Sequence, residues 1–133
     1  MDRSLLLQMA AEARDGAYAP YSGYKVGAAL LLSDGTIYKG CNIENASYGL
    51  TVCAERNAIF RAVGDGRRDF TAIAIISGDD SQYCSPCGAC RQVMNEFVKA
   101  ADFKVIMGKT VNDYIEVTLE ELLPYGFGPQ NLN

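Results

Sequence analysis

Two short stretches carry residue types from which a reaction centre can be built. Cys53-Ala54-Glu55-Arg56 offers a thiol with a carboxylate two positions on, and Ser85-Pro86-Cys87-Gly88-Ala89-Cys90-Arg91 offers two more thiols. Zinc accepts thiolate sulfur readily, and three protein ligands leave a fourth tetrahedral position open to water, as in a catalytic rather than a structural site. A carboxylate beside that water can take its proton and pass it on. The chain contains no histidine, so sulfur or carboxylate must hold the metal and a glutamate must move the proton. Three thiolates around one divalent ion leave the centre anionic, which weakens its pull on bound water. Arg56 and Arg91 adjoin the motif, and Arg56 is the cation we expect to offset that charge.

Other uses of these residues stay open at this level. Cys84-Ser85-Pro86-Cys87 or Cys87-Gly88-Ala89-Cys90 could be a redox pair, although both lie late in the chain for a thioredoxin-like unit. Cys53, Cys84, Cys87 and Cys90 could form a structural four-cysteine zinc site, which would leave Glu55 without a task. Glu55 could be a solvated first-turn residue favoured by the helix dipole. Cys41, at a strand end, reads as a small buried hydrophobe.

The elements that must position these groups follow from periodicity. Asp2 to about Tyr18 has helical spacing. Val26–Leu32 and Thr36–Gly40 form two strands around the Ser33-Asp34-Gly35 turn. Cys53–Val63 is helical, Phe70–Ser77 is a continuous apolar strand, and Gly88 to about Ala100 is helical again. Phe103–Met107 and Ile115–Val117 read as strands, and Leu119–Leu123 as a short closing helix. Helices alternating with apolar strands predict one mixed sheet covered on both faces. Helices starting at Cys53 and near Cys87 would favour thiolates at their N-termini. Cys53 must stand at the very start of its helix for Glu55 to turn back over the metal.

Bulk properties narrow the function. The 133 residues suit one domain, spanning 1–133, and 49% hydrophobic with 21% charged residues is ordinary for a soluble globular protein. A formal charge of −4 argues against binding nucleic acid through its phosphates. The N-terminal apolar run is too short for a signal peptide, no stretch approaches a membrane span, and five clustered cysteines do not suggest a disulfide framework. A cytoplasmic protein with reduced thiols, a small-molecule substrate and no nucleic-acid or membrane partner is expected.

Beyond the metal motif, the sequence resembles the short homotetrameric cytidine deaminases along nearly its whole length. The matching segments are Tyr18-Ala19-Pro20-Tyr21-Ser22, Val26-Gly27-Ala28-Ala29, Gly40-Cys41-Asn42-Ile43-Glu44-Asn45-Ala46, Cys53-Ala54-Glu55-Arg56, Ser85-Pro86-Cys87-Gly88-Ala89-Cys90-Arg91-Gln92 and Glu120-Glu121-Leu122-Leu123-Pro124. The resemblance implies a three-layer α/β/α sandwich with a five-stranded mixed sheet. It implies hydrolysis of cytidine and 2′-deoxycytidine to the uridines with release of ammonia, in pyrimidine salvage. It further implies one Zn2+ per subunit on Cys53, Cys87 and Cys90, Glu55 as proton shuttle, and Arg56 donating to the thiolates.

By the same resemblance Asn42 and Glu44 grip the ribose 3′-hydroxyl, the Ala54 backbone holds the pyrimidine, and Ala46 belongs to the substrate-binding segment. Tyr24 stands where the family usually has a phenylalanine stacked on the base. Tyr48 and Phe127 would reach a neighbouring subunit's site within a homotetramer. Blasticidin deaminases share the metal motif but resemble the Asn42–Ala46 segment less. Deaminases of nucleic acid usually have histidine as the first ligand and need a basic channel, both absent here.

Overall fold

The computed structural model describes residues 1–132, in which the apolar runs become strands β1 (Val26–Leu32), β2 (Ile37–Cys41), β3 (Phe70–Ser77), β4 (Lys104–Thr110) and β5 (Asp113–Thr118). The helices are α1 (Arg3–Arg14), α2 (Ala54–Gly64), α3 (Gly88–Phe97) and α4 (Leu119–Leu122), with single 3-10 turns at Tyr48–Leu50 and Pro129–Asn131. The strands form one sheet in the order β2-β1-β3-β4-β5, with β3 and β4 parallel and the other pairs antiparallel. The parallel pair is joined through α3, the crossover that such a pair requires.

The pleat sorts the side chains into two cores. Ala28, Leu30, Leu32, Ile73, Ile75 and Val105 pack with Ala58, Ile59, Ala62 and Met94 of α2 and α3. Ala29, Leu31, Ala72, Ala74, Ile76 and Ile106, their neighbours along the strands, pack with Leu6, Leu7 and Ala10 of α1. Helices therefore cover both faces, giving the α/β/α sandwich with a five-stranded mixed sheet. None of the described helices is long and apolar enough to cross a membrane.

Two helices run shorter than their periodicity suggests. Tyr18 does not extend α1, because its backbone bridges to Ile43: Tyr18 N donates to Asn42 O and Glu44 N donates to Tyr18 O. Helix α3 stops at Phe97 instead of Ala100, because Val98 is extended and the carbonyls of Lys99 and Ala100 serve the turn into β4 and the start of α4. The last two strands, conversely, lengthen into a hairpin around Val111-Asn112.

Gly40 fixes how closely α2 approaches the sheet. A Cβ there would lie 2.4 Å from the Ala54 carbonyl oxygen and 2.5 Å from the Ala58 nitrogen, closer than real contacts allow. The start of α2 thus rests directly on the backbone of β2, in a seat that only glycine permits.

Candidate metal centre and active site

Cys53 is the N-cap of α2 and Cys87 the N-cap of α3, and neither makes a side-chain capping bond. The first-turn amides of both helices, with their positive partial charge, are left for the sulfurs or a ligand beside them. Cys90 projects from the first turn of α3. Sulfur separations are 3.7 Å for Cys53–Cys87 and 3.4 Å for Cys87–Cys90, and all three sulfurs lie within 4.8 Å of one another. Thiolates about 2.3 Å from one tetrahedral zinc are about 3.8 Å apart, so this triangle has the size of a zinc ligand set. In sequence the three thiols straddle β3, with Cys53 before it and the others after.

The electrostatics also call for a cation. Cys53 is held well below the ordinary thiol range, chiefly by the hydrogen bond from Cys90 and further by Arg56. Cys90 is pushed up by that same bond and by burial. Three such sulfurs can ionise together only if positive charge joins them, and a divalent metal supplies it. Arg56 contributes part: its Nη2 donates to Cys53 Sγ at 3.5 Å, and the thiolates raise its pKa.

Glu55, only 3% exposed, follows two residues after Cys53 in the first turn of α2. Burial raises its pKa to about 7, with the Cys53 charge adding to the effect. It forms part of the wall of a cavity of about 210 Å³ that also includes Cys53, Cys87, Ala54, Tyr24 and Asn42. Two of the three thiols, the buried carboxylate and three of the expected substrate contacts, Tyr24, Asn42 and Ala54, therefore open onto one space.

The remaining expected residues are placed differently. Asn42 is buried and spends its amide on the backbone: Oδ1 accepts from Val26 N at 2.9 Å and Nδ2 donates to Tyr24 O at 2.8 Å. Glu44 lines the adjoining surface hollow with Tyr21, Ser22, Tyr48 and Thr51. Its carboxylate accepts from Tyr21 N at 3.0 Å, Ser22 N at 3.2 Å and the Ser22 hydroxyl. Both side chains thus brace the Tyr21–Val26 segment that carries Tyr24. Ala46 lies in an exposed bend, and Tyr48, 75% exposed, packs 5.9 Å from the Tyr21 ring. Phe127 is 58% exposed and its carbonyl is held by Gln92 and Asn95 of α3. Ala46, Tyr48 and Phe127 do not line their own chain's cavity.

Cys84 is no member of the thiol triangle. It sits in the cavity wall, where burial pushes its thiol pKa up to about 12, so the four-cysteine arrangement is not formed. Three further residues became visible only in three dimensions. Val26 and Thr51 join Ser85 in the wall, and Asn57 Nδ2 donates to Cys41 O at 2.8 Å and Val52 O at 3.3 Å, tying α2 to the segment entering it. Val26 belongs to a segment matched above, but only as the start of a strand; Thr51, a polar residue two before Cys53, offered a positional signal, and Asn57 offered none.

Residues 1–108 match the family described as the cytidine and deoxycytidylate deaminase zinc-binding region. The chain is 53% identical over 133 residues to a cytidine deaminase of Halalkalibacterium halodurans, covering 100% of this chain and 99% of that one. It is 48% identical to one of Sporosarcina psychrophila, covering 100% and 96%. Among solved structures, the cytidine deaminase of Burkholderia pseudomallei superposes with a TM-score of 0.90 at 46% identity, covering 96% of this chain and 100% of that one. The enzyme of Mycobacterium tuberculosis gives 0.83 at 38% identity, covering 96% and 98%.

Proposed function

Because this chain belongs to the cytidine and deoxycytidylate deaminase zinc-binding family, we propose that it hydrolyses the 4-amino group of free cytidine and 2′-deoxycytidine, yielding the uridines and ammonia. It is a zinc-dependent enzyme of that family, with Cys53, Cys87 and Cys90 positioned to hold the metal. The observation that carries the reading is the buried Glu55 sharing one cavity with two of the three clustered thiols.

Bound zinc would supply a water whose pKa is lowered to about 7. The residues of the chain do the rest. Glu55, with a pKa near neutrality through burial, takes one proton of the water at its carboxylate and delivers it to the ring nitrogen, then takes the second and delivers it to the departing amine. One water is consumed and one ammonia leaves. Arg56 draws charge from the sulfur of Cys53. The cavity admits the pyrimidine between the Tyr24 ring and the backbone at Ala54. Asn42 keeps a second amide hydrogen and Glu44 further lone pairs, which suit a ribose hydroxyl. Ala46 lies in the same substrate-binding segment.

The exposure of Tyr48 and Phe127 outside their own cavity supports a homotetramer in which each reaches a neighbour's site. The chain then works as a single domain, 1–133, on free nucleosides in cytoplasmic pyrimidine salvage, without nucleic-acid or membrane partners. The test is a panel of cytidine, deoxycytidine, cytosine and a cytidine-containing oligonucleotide, followed by loss of cytosine absorbance and by ammonia. Turnover of the two nucleosides alone is expected. Full zinc occupancy with no turnover of either would make the metal structural and overturn the proposal.

A further inference from the structure

Arg91, the residue after the third thiol, reaches back around the metal loop. Its Nε donates to Pro86 O at 2.8 Å and its Nη2 to Ser85 Oγ at 2.8 Å, so it binds both residues that precede Cys87. Its Nη1 donates to Leu122 O at 2.9 Å, at the C-terminal end of α4. One guanidinium therefore closes the Ser85–Cys90 loop on itself and fastens it to another element. Arg91 makes no ion pair among the described residues, so its charge is spent on neutral oxygens rather than on a carboxylate.

We propose that Arg91 is a positioning residue of the metal centre, holding Cys87 at its distance from Cys53 and Cys90 through the backbone of Pro86 and the hydroxyl of Ser85. The inference rests on the zinc reading of the three thiols. Cys87 needs such support more than its partners do. Cys90 is fully buried and Cys53 has Arg56 on its sulfur, whereas Cys87 is exposed and its side chain caps nothing. A ligand without packing around it keeps its place only if its backbone is held, and the planar fork of arginine can hold two adjacent residues at once. The bond to Leu122 O adds a fixed external point, so the loop cannot drift as a unit.

The experiment compares wild type, Arg91→Met, Arg91→Lys and Ser85→Ala in zinc- and cobalt-loaded form. Arg91→Met keeps the aliphatic stem and removes all three bonds. Zinc release to a chelating dye should accelerate about 10–100-fold, the usual scale for residues supporting a metal ligand, and the thiolate-to-cobalt absorption should shift or weaken. Arg91→Lys should recover little, and Ser85→Ala, losing one bond, should release zinc several-fold faster. Melting of the metal-free forms separates positioning from general packing: the variants should lose mainly the increment in melting temperature that zinc adds. Wild-type release and cobalt spectra in Arg91→Met would overturn the proposal, as would an equal loss of stability with and without metal. If Arg91→Met does not fold, an unchanged release rate in Ser85→Ala overturns it and a faster one upholds it. A wild-type protein lacking thiolate–cobalt bands would overturn the zinc reading itself, and this inference with it.

Discussion

Arg56 and Cys53 meet through one donor: Nη2 lies 3.5 Å from the sulfur, while the buried Nε of the same guanidinium has no hydrogen-bond partner. Arg56→Gln should keep substrate binding, lose about 10–100-fold in turnover, and move the activity limb that rises with pH to higher pH. The sign follows from removing a positive charge beside an anionic centre, which makes any acid bound there weaker. Arg56→Lys should recover little, because a point charge lacks the fork. Steady-state pH profiles at full zinc occupancy decide it, and wild-type turnover and profile in Arg56→Gln would refute the charge argument.

The thiol triangle predicts a clean division among the five cysteines. Cys53→Ser, Cys87→Ser and Cys90→Ser should each lose zinc, whereas Cys41→Ser and Cys84→Ser should retain it. With its thiol pushed up to about 12 by burial, Cys84 should also resist iodoacetamide at pH 8 in the zinc-loaded protein. Metal analysis and peptide mass spectrometry report both, and loss of zinc from Cys84→Ser would restore the four-cysteine arrangement.

Glu55→Gln keeps the shape of the side chain and removes its ability to take a proton. Zinc should stay bound while turnover falls by about 10²–10⁴-fold, the typical worth of a positioned acid–base group. Near-normal activity at full metal occupancy would assign proton transfer to another residue.

A shared site predicts complementation. Glu55→Gln and Phe127→Ala, each inactive alone, should regain partial activity when mixed and allowed to exchange subunits, and sedimentation should show a tetramer. A fully active monomer would end the idea of Tyr48 and Phe127 serving a neighbour.

Gly40→Ala would push a methyl into the Ala54 carbonyl and the Ala58 nitrogen. Overpacking of this kind costs about 1–3 kcal/mol, and here the displaced element carries Cys53 and Glu55. Denaturant unfolding should show that loss together with weaker zinc retention, whereas Gly35→Ala, at a surface turn with open space around it, should spare the metal.

Much of this was readable in the chain, and for a physical reason. Metal ligands at helix starts are constrained in spacing as well as type, so Cys53, Cys87 and Cys90 were identifiable without coordinates. Strand polarity was equally plain, because β1 and β3 are apolar on both faces. Long-range closure was not legible. Nothing in the residues near Tyr18 announces a backbone bridge to Ile43, and the sheet order depends on which apolar strand finds which. Asn42 and Glu44 show the same gap: their chemistry was evident, but not that each already braces the Tyr21–Val26 segment. Arg91 was noticed for its charge, whereas its bond to Leu122, 31 residues on, and its return to Ser85 and Pro86 needed coordinates.

That the three thiols straddle β3 sets an order on biosynthesis. A chain emerging N-terminus first presents Cys53 and Glu55 early, but one thiolate alone has no chelate to offer. The ion can be captured only after β3 has entered the sheet and α3 has begun to wind, bringing Cys87 and Cys90 opposite. Capture by all three thiols thus follows the pairing of β3 and the start of α3, and it is coupled to folding of the centre of the sheet. Chains interrupted before α3 would lack the full set of three thiols and would not assemble the metal site.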